Sequence, residues 1–166
     1  MLDIVHALGG DVLKFAGDAV LIVWAGSQEQ LDLNVHCASK CALELQKKTG
    51  CHPIEGTNLV FRIHCGICCG PLESEVFQAP SATNMQRLFL SVGGDSFREI
   101  ATLVDLAKSG EVCVSDQVET MLRQVCKFKD LSPEDLKENP GATLLSDMML
   151  DPGTTERMDS YVTQVL

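Results

Sequence analysis

The stretch from Asp11 to Ala25 constrains the fold more than any other part of the chain. Val12, Leu13 and Phe15 lead to Gly17-Asp18, and an apolar run from Ala19 to Trp24 follows. Two apolar arms around a Gly-Asp pair predict a tight β-hairpin, because glycine supplies the positive φ that a two-residue connection needs. The second arm is apolar at every position, so it is expected as a central strand, covered on both faces. Such a hairpin near the start of a chain must be buried against something, which points to helices packed on a sheet.

The remaining pattern supports that architecture. Ile4, Val5 and Leu8 keep a helical spacing that Gly9-Gly10 ends. Ser27, with Gln30 three residues on, has the spacing of a capping box. Leu31, Val35, Ala38, Ala42 and Leu45 then repeat on one helical face from Gln28 to Lys48, and Gly50 stops the run. Leu59 to Cys69 is expected as one strand, closed by Gly70-Pro71. Glu73 to Ala82 reads as loop and Arg87 to Val92 as a short strand. Phe97, Ile100, Leu103, Val104 and Ala107 place a helix over Ser96 to Lys108. A strand over Glu111 to Val114, a helix over Asp116 to Arg123 and a strand over Cys126 to Leu131 follow. This order predicts an α+β sandwich, a mostly antiparallel sheet covered by helices.

Charge and cysteine usage exclude several function classes. The chain has 166 residues, 45% of them hydrophobic, enough for one cored domain. It carries 13 basic against 23 acidic residues. That balance argues against nucleic acid as a main partner and against an anionic membrane surface. No apolar run reaches the roughly 18 residues of a membrane span, and Met1 to Gly10 has no basic cluster of a secretory signal. The eight cysteines therefore read as reduced thiols of a cytoplasmic protein. Cys37 and Cys41, and Cys65, Cys68 and Cys69, fit buried core thiols better than a zinc site.

Beyond Asp130 the pattern changes. Residues 130–166 hold eight acids and two bases, with Pro133, Pro140 and Pro152 and no sustained period. The expected division is a domain over 1–131 and an acidic, loosely ordered tail over 132–166, with one short helix near Leu144–Leu150.

Asp18 is the first candidate for chemistry. A carboxylate at a hairpin turn is exposed yet held by two strands, which suits a hard cation such as Mg²⁺. Lys14, four residues earlier, adds a compact positive charge on the same hairpin. By spacing alone, a plain turn beside a solvated lysine accounts for the same residues. His6, His36, His52 and His64 are scattered and form no visible catalytic arrangement.

The wording Gly9-Gly-Asp-Val-Leu-Lys-Phe-Ala-Gly-Asp-Ala19 resembles the hairpin of class III nucleotidyl cyclases, most of all that of the first catalytic half of soluble adenylyl cyclases. Phe61-Arg-Ile-His-Cys-Gly-Ile-Cys-Cys-Gly70 is similar to the family strand ending in Gly-x-x-x-Gly. Val92-Gly-Gly-Asp-Ser-Phe-Arg-Glu-Ile-Ala-Thr-Leu103 is similar to its strand-to-helix segment. The resemblance covers residues 1 to about 130 and implies a ferredoxin-like domain that pairs with a second cyclase domain. It implies ATP as substrate, cyclic AMP and pyrophosphate as products, and two Mg²⁺ (or Mn²⁺) ions at the domain interface. It matches Asp18 to the second metal aspartate and Lys14 to the hairpin lysine that faces bicarbonate in the soluble cyclases.

Three departures accompany it. The family's opening strand, Phe-x-Asp-x-x-Gly-Phe, has no counterpart before Met1, so the resemblance implies an N-terminally truncated domain without its first metal aspartate, expected to be inactive alone and active as part of a complete protein. Arg98 stands where the family has Asn, and Thr102 where it has the catalytic Arg. Arg98 is a candidate to join Lys14 in an anion pocket, although the soluble cyclases carry their pocket Arg where this chain has Ala101. The alternative implication is a non-catalytic domain that pairs with an active half. A second resemblance, of Gly93-Gly-Asp-Ser-Phe97 to the diguanylate cyclase signature, fails on context, since here the segment runs into a helix instead of a hairpin.

Overall fold

The computed structural model describes residues 1–49, 52–53, 55–58, 60–79 and 87–149. In chain order the elements are α1 (Leu2–Ala7), β1 (Asp11–Ala16), β2 (Ala19–Val23), α2 (Leu31–Thr49), β3 (His52–Pro53), β4 (Val60–Phe61) and β5 (Cys65–Ile67). They continue with β6 (Glu73–Ala79), β7 (Arg87–Gly93), α3 (Ser96–Leu106), β8 (Val112–Ser115), α4 (Asp116–Leu122), β9 (Cys126–Lys129), α5 (Pro133–Glu138) and β10 (Ala142–Met148).

Helix α2 organises the molecule. It is entered through a single 3₁₀ turn, where the Ser27 N–H donates to Gln30 Oε1 at 2.9 Å, the pairing that the Ser-x-x-Gln spacing predicts. One side of α2, through Val35, Ala42 and Leu43, packs on Ile67, Val112, Val114 and Leu145 of the main sheet and on Val118 and Leu122 of α4. Another side, through Cys41 and Leu45, packs on Ile4 and Val5 of α1 and on Val12, Ile22 and Trp24 of the hairpin region. The opposite face of the main sheet carries Cys113 and Ala142, which meet Leu103 and Ala107 at the end of α3. The sheet therefore lies between α2 with α4 and α3, an α+β sandwich as the sequence predicts.

The main sheet runs in the order β5-β8-β10-β9. β5 is parallel to β8, while β10 is antiparallel to both of its neighbours. All four residues of β8 are buried, as expected of an interior strand covered on both faces. The other strands form three two-stranded antiparallel ribbons, β1-β2, β3-β4 and β6-β7.

Four expectations need correction. β2 is not a central strand: among the described residues it pairs only with β1, and Val20 to Val23 are half-buried. Its apolar character covers α1 and α2 on one face and leaves the other partly open. The run Leu59 to Cys69 is not one strand but the short β4 and β5 with a break at Arg62 to His64. Glu73 to Ala79 is a strand, because its pairing with Arg87–Gly93 outweighs the low β-propensity of its Glu and Ser residues.

The fourth correction moves the domain boundary. Residues 132–148 are not a loose tail. Ser132 caps α5, its Oγ accepting from the Asp135 N–H, with Pro133 in the first turn. Ala142 to Met148 form an interior strand where a short helix was expected. Leu144 and Leu145 are adjacent because the strand is covered on both faces, which erases the alternation that marks a half-buried strand. Residues 150–166, the rest of the expected tail, lie outside the described residues.

Candidate functional site

The β1-β2 hairpin closes tightly. Ala16 pairs with Ala19, and Gly17 between them has φ 65°, a left-handed conformation that a side chain disfavours. Asp18 follows at the tip, exposed. Its carboxylate makes no hydrogen bond or ion pair among the described residues, so both oxygens are uncommitted.

A bulge sets the direction of Lys14. Val12 pairs with Ile22, but Lys14 pairs with Leu21, leaving Leu13 as the extra residue. Paired residues share a face and consecutive residues alternate, so Lys14 lies on the Leu21 face and Val12 on the opposite face with Ile22. Val12 and Ile22 belong to the core beneath α2, and Lys14 is exposed. In an unbulged strand, Val12 and Lys14 would share a face.

The hairpin is fastened to the body at its base. Trp24 Nε1–H donates to the Leu8 carbonyl at 2.7 Å, and the Trp24 carbonyl accepts from Asn34 Nδ2 on α2 at 3.3 Å. The indole lies against Gly10, where an added Cβ would meet ring carbons at 2.6 and 2.8 Å. Gly10 thus does more than follow α1: it lets the tryptophan ring approach the backbone closely.

Arg98 sits in the first turn of α3, and its guanidinium reaches Asp95 Oδ1 at 3.2 Å. Both side chains are about nine-tenths exposed, at 89% and 94%, so the pair is weakly held and easily exchanged for another anion. Among the described residues no carboxylate bridges Arg98 to Lys14. Thr102 is also on α3, and its Oγ1 donates to the Arg98 carbonyl at 3.2 Å. Asp95 is the residue that sequence reasoning missed, although its i,i+3 spacing from Arg98 is the signal of such a pair.

The glycines of the Cys65–Gly70 stretch let it approach α3 closely. A Cβ on Gly66 would meet Val104 at 2.9 Å, and one on Gly70 would meet Ser96 Oγ at 2.6 Å. Cys68 Sγ–H donates to the Ser96 carbonyl at 3.3 Å. The start of α3 is thereby fixed to the end of β5, which places Arg98 reproducibly.

Among the described residues no group of three or more His, Cys, Asp or Glu side chains gathers. Asp18 alone fits one corner of an octahedral Mg²⁺, whose other ligands are ordinarily water, phosphate oxygens and at most another carboxylate. The seven described cysteines are free thiols. Burial pushes Cys41 and Cys65 up to about 11, and burial with the nearby Glu99 pushes Cys68 up to about 12. Thiols held this far protonated are poor nucleophiles and act as packing groups. No helix of the described residues is long and apolar enough to cross a membrane.

No family model matches the chain. It is 26% identical over 158 residues to adenylate cyclase type 10 of Mus musculus, an alignment covering 95% of this chain and 9% of that protein. Over 107 residues, 64% of this chain, it is 30% identical to adenylate cyclase type 10 of Oryctolagus cuniculus. The chain thus spans about a tenth or less of the length of the curated relatives it matches. Among solved structures, the guanylate cyclase domain of RhGC from Catenaria anguillulae in complex with GTP superposes with a TM-score of 0.66 at 17% identity, covering 88% of this chain and 77% of that one. The adenylyl cyclase CyaB from P. aeruginosa superposes with a TM-score of 0.59 at 16% identity, covering 90% of this chain and 78% of that one.

Proposed function

From a chain that has the class III cyclase catalytic-domain fold and is a distant homologue of adenylate cyclase type 10, we propose one half of an adenylate cyclase site. In this reading it pairs with a second cyclase domain, and ATP is converted at their interface to cyclic AMP and pyrophosphate. The observation that carries the reading is the tip of the hairpin. Asp18 presents an uncommitted carboxylate there, on a ribbon that Trp24 fastens to the core.

Each residue then has a task. Asp18 is one ligand of a divalent cation, Mg²⁺ or Mn²⁺, which when bound neutralises phosphate charge and orients the reacting oxygens. Lys14, turned outward by the bulge, supplies a positive charge on the same hairpin, toward substrate phosphate or a regulatory anion. Arg98 is the proposed second cation of a bicarbonate pocket, since a planar guanidinium suits a carboxylate-like anion. Binding there would exchange the exposed Asp95 contact for the anion.

The residues Arg98 and Thr102, where the family carries Asn and Arg, favour a second reading. In it the domain pairs with an active half and positions it without contributing chemistry. The test is cyclic AMP formation from ATP and Mg²⁺ by the complete protein that carries this domain, beside its Asp18→Asn variant. Activity abolished by the substitution supports the catalytic half. Activity indifferent to Asp18 supports the positioning domain.

A further inference from the structure

Helix α2 ends beside the entrances of two strands of the main sheet. Gln46 Nε2 donates to the Ile63 carbonyl at 3.1 Å and to the Glu111 carbonyl at 3.3 Å, just ahead of β5 and β8. Lys47 and Lys48 therefore share that end of the fold with Arg62 and with the β3-β4 ribbon that follows α2. All three cations are exposed, and none forms an ion pair among the described residues. The Glu111 carboxylate accepts from the Lys108 N–H at 2.8 Å, and Glu55 in the ribbon's turn is unpaired too, so the cations are in excess. Immediately before Arg62, Val60 and Phe61 are 45% and 54% exposed, and among the described residues β4 pairs with β3 alone. In a chain with 23 acids and 13 bases, unpaired cations beside exposed apolar side chains mark a surface for an acidic segment.

The sheet delivers such a segment to the same end. β5 and β8 start level, with Cys65 opposite Val112. β10 runs the other way, from Ala142 opposite Ser115 to Leu144 opposite Cys113, and on past the start of β8. Met149 therefore leaves the sheet at the end where α2 stops, two strand spacings or about 10 Å from the line of β5. Residues 150–166 carry Asp151, Glu156 and Asp159 against one base, Arg157, with Tyr161 and Val162 just behind them. At the ~3.3 Å per residue of an extended chain, Glu156 can lie as far as ~23 Å from Met149, more than twice that separation.

We propose that residues 150–166 dock on the α2-β4 end of their own domain, with their acids on Lys47, Lys48 and Arg62 and their apolar side chains over Val60 and Phe61. Each exposed charge pair is weak by itself, and the contact holds because the tether keeps the segment at an effective concentration on the order of millimolar. The chain's excess of acid repels an extended polyanion such as nucleic acid or a membrane. A short segment within a Debye length, about 8–10 Å, feels the local cations instead. The inference stands apart from the cyclase reading.

The experiment is zero-length carbodiimide cross-linking of the full chain at low and high salt, with the joined residues of the monomer identified by mass spectrometry. The coupling condenses a carboxylate with a lysine amine to an amide, and the carbodiimide takes up the water as a urea. The expected links run from Asp151, Glu156 or Asp159 to Lys47 or Lys48. High salt reduces them at least about fivefold, and so does Arg62→Glu, which takes no part in the coupling. Backbone hydrogen exchange over Val60 to His64 is expected to speed up when Asp151→Asn, Glu156→Gln and Asp159→Asn are combined. Arg62 lies outside the core clusters, and circular dichroism confirms the fold of each variant. Links that fall on other lysines, or only between two molecules, overturn the proposal. So does a monomer without links to Lys47 or Lys48, links indifferent to Arg62→Glu, or exchange unchanged in the neutralised variant.

Discussion

Lys14 stands opposite Leu21, one step out of phase with Val12 opposite Ile22. That slip separates two residues that plain alternation would put on one face, giving the core its valine and the solvent its lysine. Val12→Lys is accordingly expected to destabilise the chain by roughly 2–4 kcal/mol, through an unpaired charge in the α1-α2 core. Lys14→Val is expected to change stability by less than about 1 kcal/mol. Urea unfolding of both variants checks the assignment, and equal costs would contradict it.

The second prediction concerns the base of the hairpin. Gly10→Ala forces a methyl into the Trp24 ring, and is expected to cost about 1–3 kcal/mol. Trp24→Phe removes the hydrogen bond to Leu8 and leaves that carbonyl without its donor, a loss of about 1–3 kcal/mol. Melting temperatures of the two variants, and of the pair combined, measure these costs. Their sum should exceed the cost of the double variant, because both act on one contact.

The third prediction separates domain from tail. β10 lies inside the main sheet with Leu145 buried among α2, α4 and β8 residues. Leu145→Ala should cost about 2–5 kcal/mol, and a chain ending at residue 131 should lack a cooperative unfolding transition. A cooperative melt for residues 1–131 would show that the sheet is complete without β10.

Alkaline pH gives the fourth. Cys41, Cys65, Cys113 and Cys126 are pushed up to about 11, and Cys68 to about 12, chiefly by burial. The folded chain therefore holds these protons at a pH where the unfolded chain has released them. Their contribution to stability is complete below the unfolded thiol value near 9 and is lost as pH rises toward 11–12. Unfolding midpoints between pH 8 and 11 should fall steadily, and thiol labelling at pH 8 should be slow until denaturant is added. His36 acts at the other end. Burial, and then Lys40, lower its pKa below 6.5, so stability is also lost as pH falls through 6.5.

The hairpin, α2, α3 and the capping box at Ser27 are readable in the sequence because each depends on contacts a few residues apart. Gly17, the 3.6-residue apolar spacing and the Ser-x-x-Gln pair are local signals. β6 and β10 are not readable for the opposite reason. Glu73 to Ala79 becomes a strand through partners eight to twenty residues away in the ribbon register. Leu144 and Leu145 look like a helical fragment because a strand buried on both faces has no alternation. The bulge at Leu13 was likewise invisible, since it exists only as a mismatch between two strands. Asp18 and Lys14 stand out through a family resemblance, whereas the Asp95–Arg98 pair has only its i,i+3 spacing as a sequence signal.

The most direct test of the account is the nucleotide chemistry at Asp18. The complete protein that carries this domain is assayed for cyclic AMP with ATP and Mg²⁺, against its Asp18→Asn variant. The substitution keeps the turn and removes only the charge, so folding is preserved. The account predicts cyclic AMP from the wild-type protein and a loss of at least about a hundredfold in the variant. Equal rates from both would contradict the assignment of Asp18 to the metal. No product from either would contradict the catalytic reading of this domain.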